Sequence, residues 1–309
     1  MNKVVAVNKP AMGLGNRMRF TLSCLLLSKE VERQFEYIWP ISPTFKPKFT
    51  DLWYFKELDV TDTYTPQEKY FFTHTKGITQ YSDMSDWLIQ SEEQIADPAG
   101  NQYDWVGLLQ KLKPVPAIRS RVTRMAKKLP SDYVAVNVRT QVAPPASTEE
   151  SPLDWYLRRM HELVDNNTNT TFFLSCDSDE VQERLMREFP GRTEAQAIPS
   201  SFGSVESVQK AVADLYLLGR SSLILAPFGS SFARLGWFLG GSKQPYEVSK
   251  FTVAPGTPAI PPGLVQEAEL IPISKLNWVA SSNTGGTKVN GSRVIAALRK
   301  RLQSVGHRA

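Results

Sequence analysis

Three short segments combine residue types that could handle a charged ligand. Tyr133–Gln141 reads YVAVNVRTQ. Val134, Ala135, Val136 and Val138 are small or β-branched and apolar, the pattern of a buried strand, and the strand stops at Arg139. Thr171–Ser175 is a second apolar run that ends at Cys176 and Asp177, and Ser222–Ala226 is a third, followed by Pro227-Phe-Gly-Ser-Ser-Phe232 and a helical pattern. In an open α/β sheet, ligands bind just outside the carboxyl ends of the strands. A guanidinium at such an end offers a fork of donors that matches phosphate or carboxylate. A carboxylate there can accept from a ribose hydroxyl or a base N–H. Gly229, Ser230 and Ser231 at a strand-to-helix turn bring backbone N–H groups, hydroxyls and a helix dipole to one point, where a phosphate is stabilised. Each has a plainer reading as well: Arg139 balancing a carboxylate, Asp177 closing a turn, Ser230 or Ser231 capping a helix. If the three strands are adjacent and parallel, the guanidinium and the helix N-terminus suit a diphosphate and the carboxylate suits its nucleoside.

The elements that position these groups follow from hydrophobic spacing. Val4–Val7 is a short apolar strand, Asn8–Asn16 is a loop containing Gly13 and Gly15, and Asn16–Arg33 has a helical pattern built on Phe20, Leu22, Leu25, Leu26 and Leu27. Strand, glycine loop and helix open a Rossmann-like unit, with the glycines letting the backbone approach a ligand at the helix N-terminus. A dinucleotide site would need a third glycine at position 18, which is Met18, and an acidic residue closing the second strand, whereas Phe35–Pro40 ends in Trp39 and Pro40. A nicotinamide oxidoreductase is therefore disfavoured.

From Ile41 to Gln110 the pattern is irregular and aromatic. Most of these rings are expected in the core of the first domain, and Met84–Glu93 is expected to be a helix. A helix beginning near Pro116 buries Ile118, Val122 and Met125 and carries Arg119, Arg121, Arg124, Lys127 and Lys128 on its other side. The division falls around residues 112–130, giving two Rossmann-like domains, 1–125 and 126–309. Helices are expected at Leu153–Asn166, Glu180–Phe189 (capped by Ser178 or Asp179), Val205–Leu218 and Ala233–Leu239. A last amphipathic helix, Ser292–Gln303, is expected to pack back on the first domain. The Pro- and acid-rich stretch Gln141–Pro152 reads as a loop over the site.

The 309 residues suit two domains, and the net charge of +5 favours anionic partners. Cys24 and Cys176 lie in apolar runs and are expected to be buried and reduced, and with three His and no Cys cluster a zinc site is not expected. There is no 18-residue apolar run and the N-terminus lacks a signal-peptide pattern, so the expectation is a cytoplasmic protein without a membrane span.

Four segments, MGLGNRMRF (Met12–Phe20), YVAVNVRT (Tyr133–Thr140), FFLSCDSDEV (Phe172–Val181) and DLYLLGRSSLILAPFGSSFARLGWFL (Asp214–Leu239), resemble in order and spacing the motifs of the fucosyltransferase superfamily. That superfamily includes the α-1,6- and α-1,2-fucosyltransferases, the nodulation-factor enzymes and the protein O-fucosyltransferases. The resemblance implies a GT-B-like α/β fold, two facing Rossmann-like domains with parallel sheets, the first (1–125) on the acceptor side and the second (126–309) binding the nucleotide sugar. It also implies a GDP-linked donor, most often GDP-fucose, and inverting, metal-independent transfer to an acceptor hydroxyl of a glycan, a protein or another compound. No cofactor beyond the donor is expected. By the same resemblance Arg139 holds the donor diphosphate and is the catalytic residue, Asp177 lies near the nucleoside, and Gly229, Ser230, Ser231 and Phe232 form the turn on the phosphates. Gly15, Asn16 and Arg17 form the first-domain loop at the cleft. Asn137 stands where the family usually has His, and it can hydrogen-bond a base or ribose but cannot carry a proton. That departure leaves open another nucleotide sugar and a non-catalytic nucleotide- or glycan-binding protein, while the basic helices around Arg119–Lys128 and Arg293–Arg301 leave open a polyanionic or nucleic-acid acceptor. Glu149, Glu150 and Asp154 are the carboxylates following Arg139 from which a general base could come.

Overall fold

A computed structural model describes residues 2–56, 68–140, 150–256 and 266–276. These belong to one compact unit, Met1–Val279. The expected last helix, Ser292–Gln303, lies outside the described residues.

The chain opens as its spacing predicts. Strand β1 (Lys3–Val7) leads through the glycine loop into α1 (Leu14–Glu30), and β2 (Gln34–Ile38) returns parallel to β1. A short pair follows, β3 (Trp53–Tyr54) and later β6 (Lys113–Pro114), with β4 (Tyr70–Phe71) and β5 (Asp86–Ile89) between them in sequence. The expectation of a helix over Met84–Glu93 is corrected here. Asp86–Ile89 is a buried strand parallel to β1, which completes the sheet β2-β1-β5. A four-residue apolar run buried on both faces has no helical periodicity to reveal, and here sheet pairing decides it. The short α2 (Val106–Leu109) and then α3 (Pro116–Ala126), which starts with Pro at its first position, close this half.

The second half is a six-stranded sheet in the order β12-β11-β10-β7-β8-β9. Its elements are β7 (Val134–Val138), α4 (Leu153–Asn166), β8 (Phe172–Cys176), α5 (Asp179–Glu188), β9 (Thr193–Ala195), α6 (Val205–Leu218), β10 (Leu223–Leu225), α7 (Ser231–Leu239), β11 (Tyr246–Val248) and β12 (Phe251–Val253). Every strand pair is parallel except the edge pair β11–β12. Strands alternating with helices impose this arrangement, because each crossover must return the chain to the same sheet edge. Ser178 caps α5 and Ser204 caps α6, each accepting a backbone N–H from three residues on. A final strand, β13 (Ile271–Pro272), pairs with β4.

One apolar core runs without a break from the first sheet into the second, taking in Val4, Trp53 and Trp87 together with Val212, Leu215 and Trp237. A second core, on the other face of the six-stranded sheet, is built from Val134, Val136 and Val138 against Trp155, Tyr156 and Leu185. Trp53, Phe71, Phe72 and Trp87 are buried, so these aromatics of the irregular stretch are core residues; Tyr54 and Tyr70 remain exposed. Both cysteines are buried and unpaired. Among the described residues no helix is long and apolar enough to cross a membrane.

Candidate functional site

Strand β7 lies between β10 and β8, parallel to both, so the three strand ends singled out by sequence meet at one edge of the sheet. Val138 is in register with Cys176, which sets Arg139 and Asp177 opposite each other just beyond the last paired residues. Arg139 Nε stands 3.8 Å from Asp177 Oδ2, an ion pair too long to be a hydrogen bond. The other carboxylate oxygen, Oδ1, accepts the Thr140 backbone N–H at 2.8 Å and is 3.3 Å from the Thr140 hydroxyl. The Arg139 guanidinium lies over the Phe232 ring, 5.7 Å from its centroid. Burial lowers the Arg139 pKa and the Asp177 charge opposes that shift, so the group remains a cation. Among the described residues its N–H donors have no hydrogen-bond partner, and the fork is available to an oxyanion.

The turn after β10 is shaped by Gly229, whose φ of +71° falls in the left-handed region that side chains disfavour. Ser230 is the N-cap of α7, its hydroxyl accepting the Ala233 N–H at 3.1 Å, and Ser231 is the first helical residue. The capping role is thus taken by Ser230. The first turn of α7 contains no acidic residue, and neither does that of α1. These two helix N-termini abut. A Cβ added to Gly15 would lie 2.6 Å from the backbone oxygen of Ser231 and 2.9 Å from its Oγ, so only glycine permits the approach. Two positive dipole ends pressed together beside a guanidinium, with no acidic side chain in either first turn, form a focus of positive potential.

Beneath this surface lies a polar layer. Side chains alternate along a strand, so Asn137 shares a sheet face with Arg139, and Ser175 shares it with Asp177. Asn137 Nδ2 donates to Ser175 O at 2.9 Å and to Ser175 Oγ at 3.2 Å, while Asn137 Oδ1 is buried without a partner among the described residues. Ser175 Oγ donates to Asp214 Oδ2 at 2.9 Å, and Gln196 Nε2 donates to Asp214 Oδ1 at 2.7 Å. Lys210 Nζ reaches Asp214 Oδ2 at 2.8 Å and the Cys176 carbonyl at 3.3 Å. Sequence reasoning singled out Asn137 but missed Ser175, Gln196, Lys210 and Asp214. The available signal was a Lys–Asp pair four residues apart among the apolar residues of the buried face of helix Val205–Leu218, together with a serine inside an apolar strand.

Arg17 is a correction. Expected at the cleft, it is fully buried under the glycine loop. Its Nε, Nη1 and Nη2 donate to the carbonyls of Met12, Pro40 and Pro10 at 2.9–3.0 Å, and its guanidinium packs on Phe45 and Trp39. Backbone carbonyls with no helical partners collect it, so it shapes the loop from below. Asn16 lies in the first turn of α1 with its Oδ1 buried and unpartnered among the described residues. Of the carboxylates after Arg139, Glu150 pairs with Lys250, Asp154 stands 3.8 Å from Arg184 on the exposed side of α4, and Glu149 lies outside the described residues. On the basic side of α3, Arg121 is neutralised by Glu206. Beyond the helix, Lys128 pairs with Glu194.

No family model matches the sequence, and no curated protein sequence does. Solved structures match the fold. The NodZ α-1,6-fucosyltransferase soaked with GDP-fucose aligns over 88% of this chain and 99% of its own at 16% identity, with a TM-score of 0.56. POFUT1 in complex with GDP aligns over 81% of this chain and 99% of its own at 14% identity, TM-score 0.54. FUT1 of Arabidopsis thaliana, also with GDP, covers 80% and 70% at 12% identity, TM-score 0.52. At such identities the likeness is one of fold: this chain has the α/β, GT-B-like fold of those fucosyltransferases.

Proposed function

We propose that this protein is an inverting glycosyltransferase that moves a sugar, foremost fucose from GDP-fucose, from a nucleotide-sugar donor to an acceptor hydroxyl without a metal. The observation that carries the reading is the meeting of two helix N-termini, at Gly15 and Ser231, beside the Arg139 guanidinium, whose fork is without a hydrogen bond among the described residues. That arrangement suits the diphosphate of a donor, which NodZ and POFUT1 meet as GDP or GDP-fucose in their solved structures. Asp177, one strand over, is set to take the nucleoside side of the same ligand.

In the reaction, the bond between the sugar's anomeric carbon and the diphosphate oxygen breaks, and its electron pair stays on the diphosphate. Arg139 and the dipole of α7 neutralise the charge that builds there, which is how this site would do without a metal ion. The acceptor oxygen attacks the opposite face of the oxocarbenium-like carbon and gives up its proton to a base. Removing one preorganised group of this kind costs about 3–4 kcal/mol, or ~10²–10³ in rate.

The test has two parts. A thermal-shift screen of GDP, UDP, CDP, dTDP and their sugars is expected to show stabilisation selective for GDP and GDP-fucose. Arg139→Ala is then expected to keep the fold and lose about 10²–10³ in transfer or donor hydrolysis. Indifference to every nucleotide, or a variant within about tenfold of the parent by the same scale, sinks the proposal.

A further inference from the structure

The strand ends that carry Arg139 and Asp177 are tied from below by a single buried ion pair. Lys210 and Asp214 are 6% and 2% exposed, one turn apart on α6. Asp214 collects Ser175 from β8, Gln196 from the segment after β9, and Lys210 from its own helix; Ser175 passes the connection on to Asn137 in β7. Lys210 also holds the carbonyl of Cys176, the residue immediately before Asp177. The peptide that presents the Asp177 carboxylate is thus fixed at one end by an ammonium group. The carboxylate itself is fixed by the Thr140 amide, which follows Arg139. Desolvating an ion pair is expensive, and well-packed apolar residues would stabilise this core as well or better. A hydrophobic pair would pack but could not hold a carbonyl or a hydroxyl in place.

We propose that Lys210 and Asp214 are positioning residues that set the geometry of Arg139 and Asp177 through Cys176, Ser175 and Asn137. The inference rests on reading that pair as the grip on the donor nucleotide. Both residues are buried beneath the strand ends, so their removal should act on the strand ends first and on nucleotide binding second.

The test uses the neutral double variant Lys210→Met with Asp214→Asn, which leaves no unpaired buried charge, and Lys210→Met alone. Hydrogen exchange of the Thr140 amide reads the strand-end geometry with no ligand present. Expected is exchange at least about tenfold faster at Thr140 than in the parent, while Val136 and Val138 stay protected. GDP affinity is expected to fall about tenfold, with no further loss when Arg139→Ala is already in place, because groups acting through one another are not additive. A folded variant with unchanged Thr140 exchange overturns the proposal, as do affinity losses that simply add to that of Arg139→Ala. If Thr140 loosens as expected but neither form binds GDP, the positioning role stands and the nucleotide reading falls.

Discussion

Arg17 and Arg139 both come from segments with glycosyltransferase-like spacing, and their surroundings give them different work. Arg139 faces a carboxylate at 3.8 Å and an aromatic ring, with its hydrogen-bonding capacity in reserve. Arg17 spends that capacity on three backbone carbonyls and two rings with no exposure to solvent. Arg17→Met should therefore be a stability variant. Each buried acceptor left unsatisfied costs about 1–3 kcal/mol, so a loss of several kcal/mol in chemical denaturation is expected. GDP affinity of the protein still folded should stay within about threefold, under 1 kcal/mol. A stable Arg17→Met protein that no longer binds GDP would return Arg17 to the ligand. The two arginines also mark what spacing can say about a site. Arg139 was legible because the strand before it is strongly apolar and stops at the charge. The burial of Arg17 depends on Trp39, Pro40 and Phe45, which fold back from the next strand and loop and leave no trace in the local pattern.

At the scale of elements, the contact between α1 and α7 turns on one glycine. Gly15 lies in the first turn of a helix, where Ala is ordinarily better by less than the ~1 kcal/mol of a helix interior. Here a methyl group would press on the Ser231 backbone at 2.6 Å, and that backbone cannot swing away as a side chain would. Gly15→Ala should leave stability within about 2 kcal/mol of the parent, since propensity and overpacking oppose each other. It should also push the two helix N-termini apart and weaken GDP binding by about tenfold or more, consistent with the loss of a dipole contribution of ~1–2 kcal/mol. Calorimetric titration of GDP decides it, and unchanged affinity would separate this contact from the ligand. The same elements show why so much of the fold was readable. β7, β8 and β10 are short apolar runs, each followed by a helix, and that alternation specifies parallel strands with their chemistry at one edge. β5 was misread because Asp86–Ile89 has no period of its own. The Lys210–Asp214 layer was unreadable because its partners come from β7, β8 and the segment after β9, a proximity that exists only once the sheet has formed.

For the molecule as a whole, the continuous core has a thermodynamic consequence. Inter-domain contacts within a chain are ordinarily modest and polar, and domains joined that way unfold separately. Here the two sheets share buried Val4, Trp53 and Trp87 with Val212, Leu215 and Trp237. Trp53 Nε1 donates to the Tyr216 hydroxyl at 3.2 Å, and Trp105 meets Phe238 edge-on at 5.5 Å. Lys46 N–H donates to Gly203 O at 2.8 Å, where Gly203, at φ +71°, lets the backbone of the loop before α6 lie against Thr44. The shared core covers one face of each sheet, and only the opposite faces have cores of their own. Urea unfolding should accordingly give one transition by tryptophan fluorescence and by far-ultraviolet circular dichroism, with coincident midpoints. Saturating GDP should move that single midpoint as a unit, by RT ln(1 + [L]/Kd), about 2.7 kcal/mol at a hundred times Kd. Two resolved transitions, with GDP displacing only one of them, would mean that the sheet carrying Arg139 folds and binds on its own. The contact between Gly15 and Ser231 could not then be part of the grip on the ligand, because a ligand that bridges both halves must stabilise both.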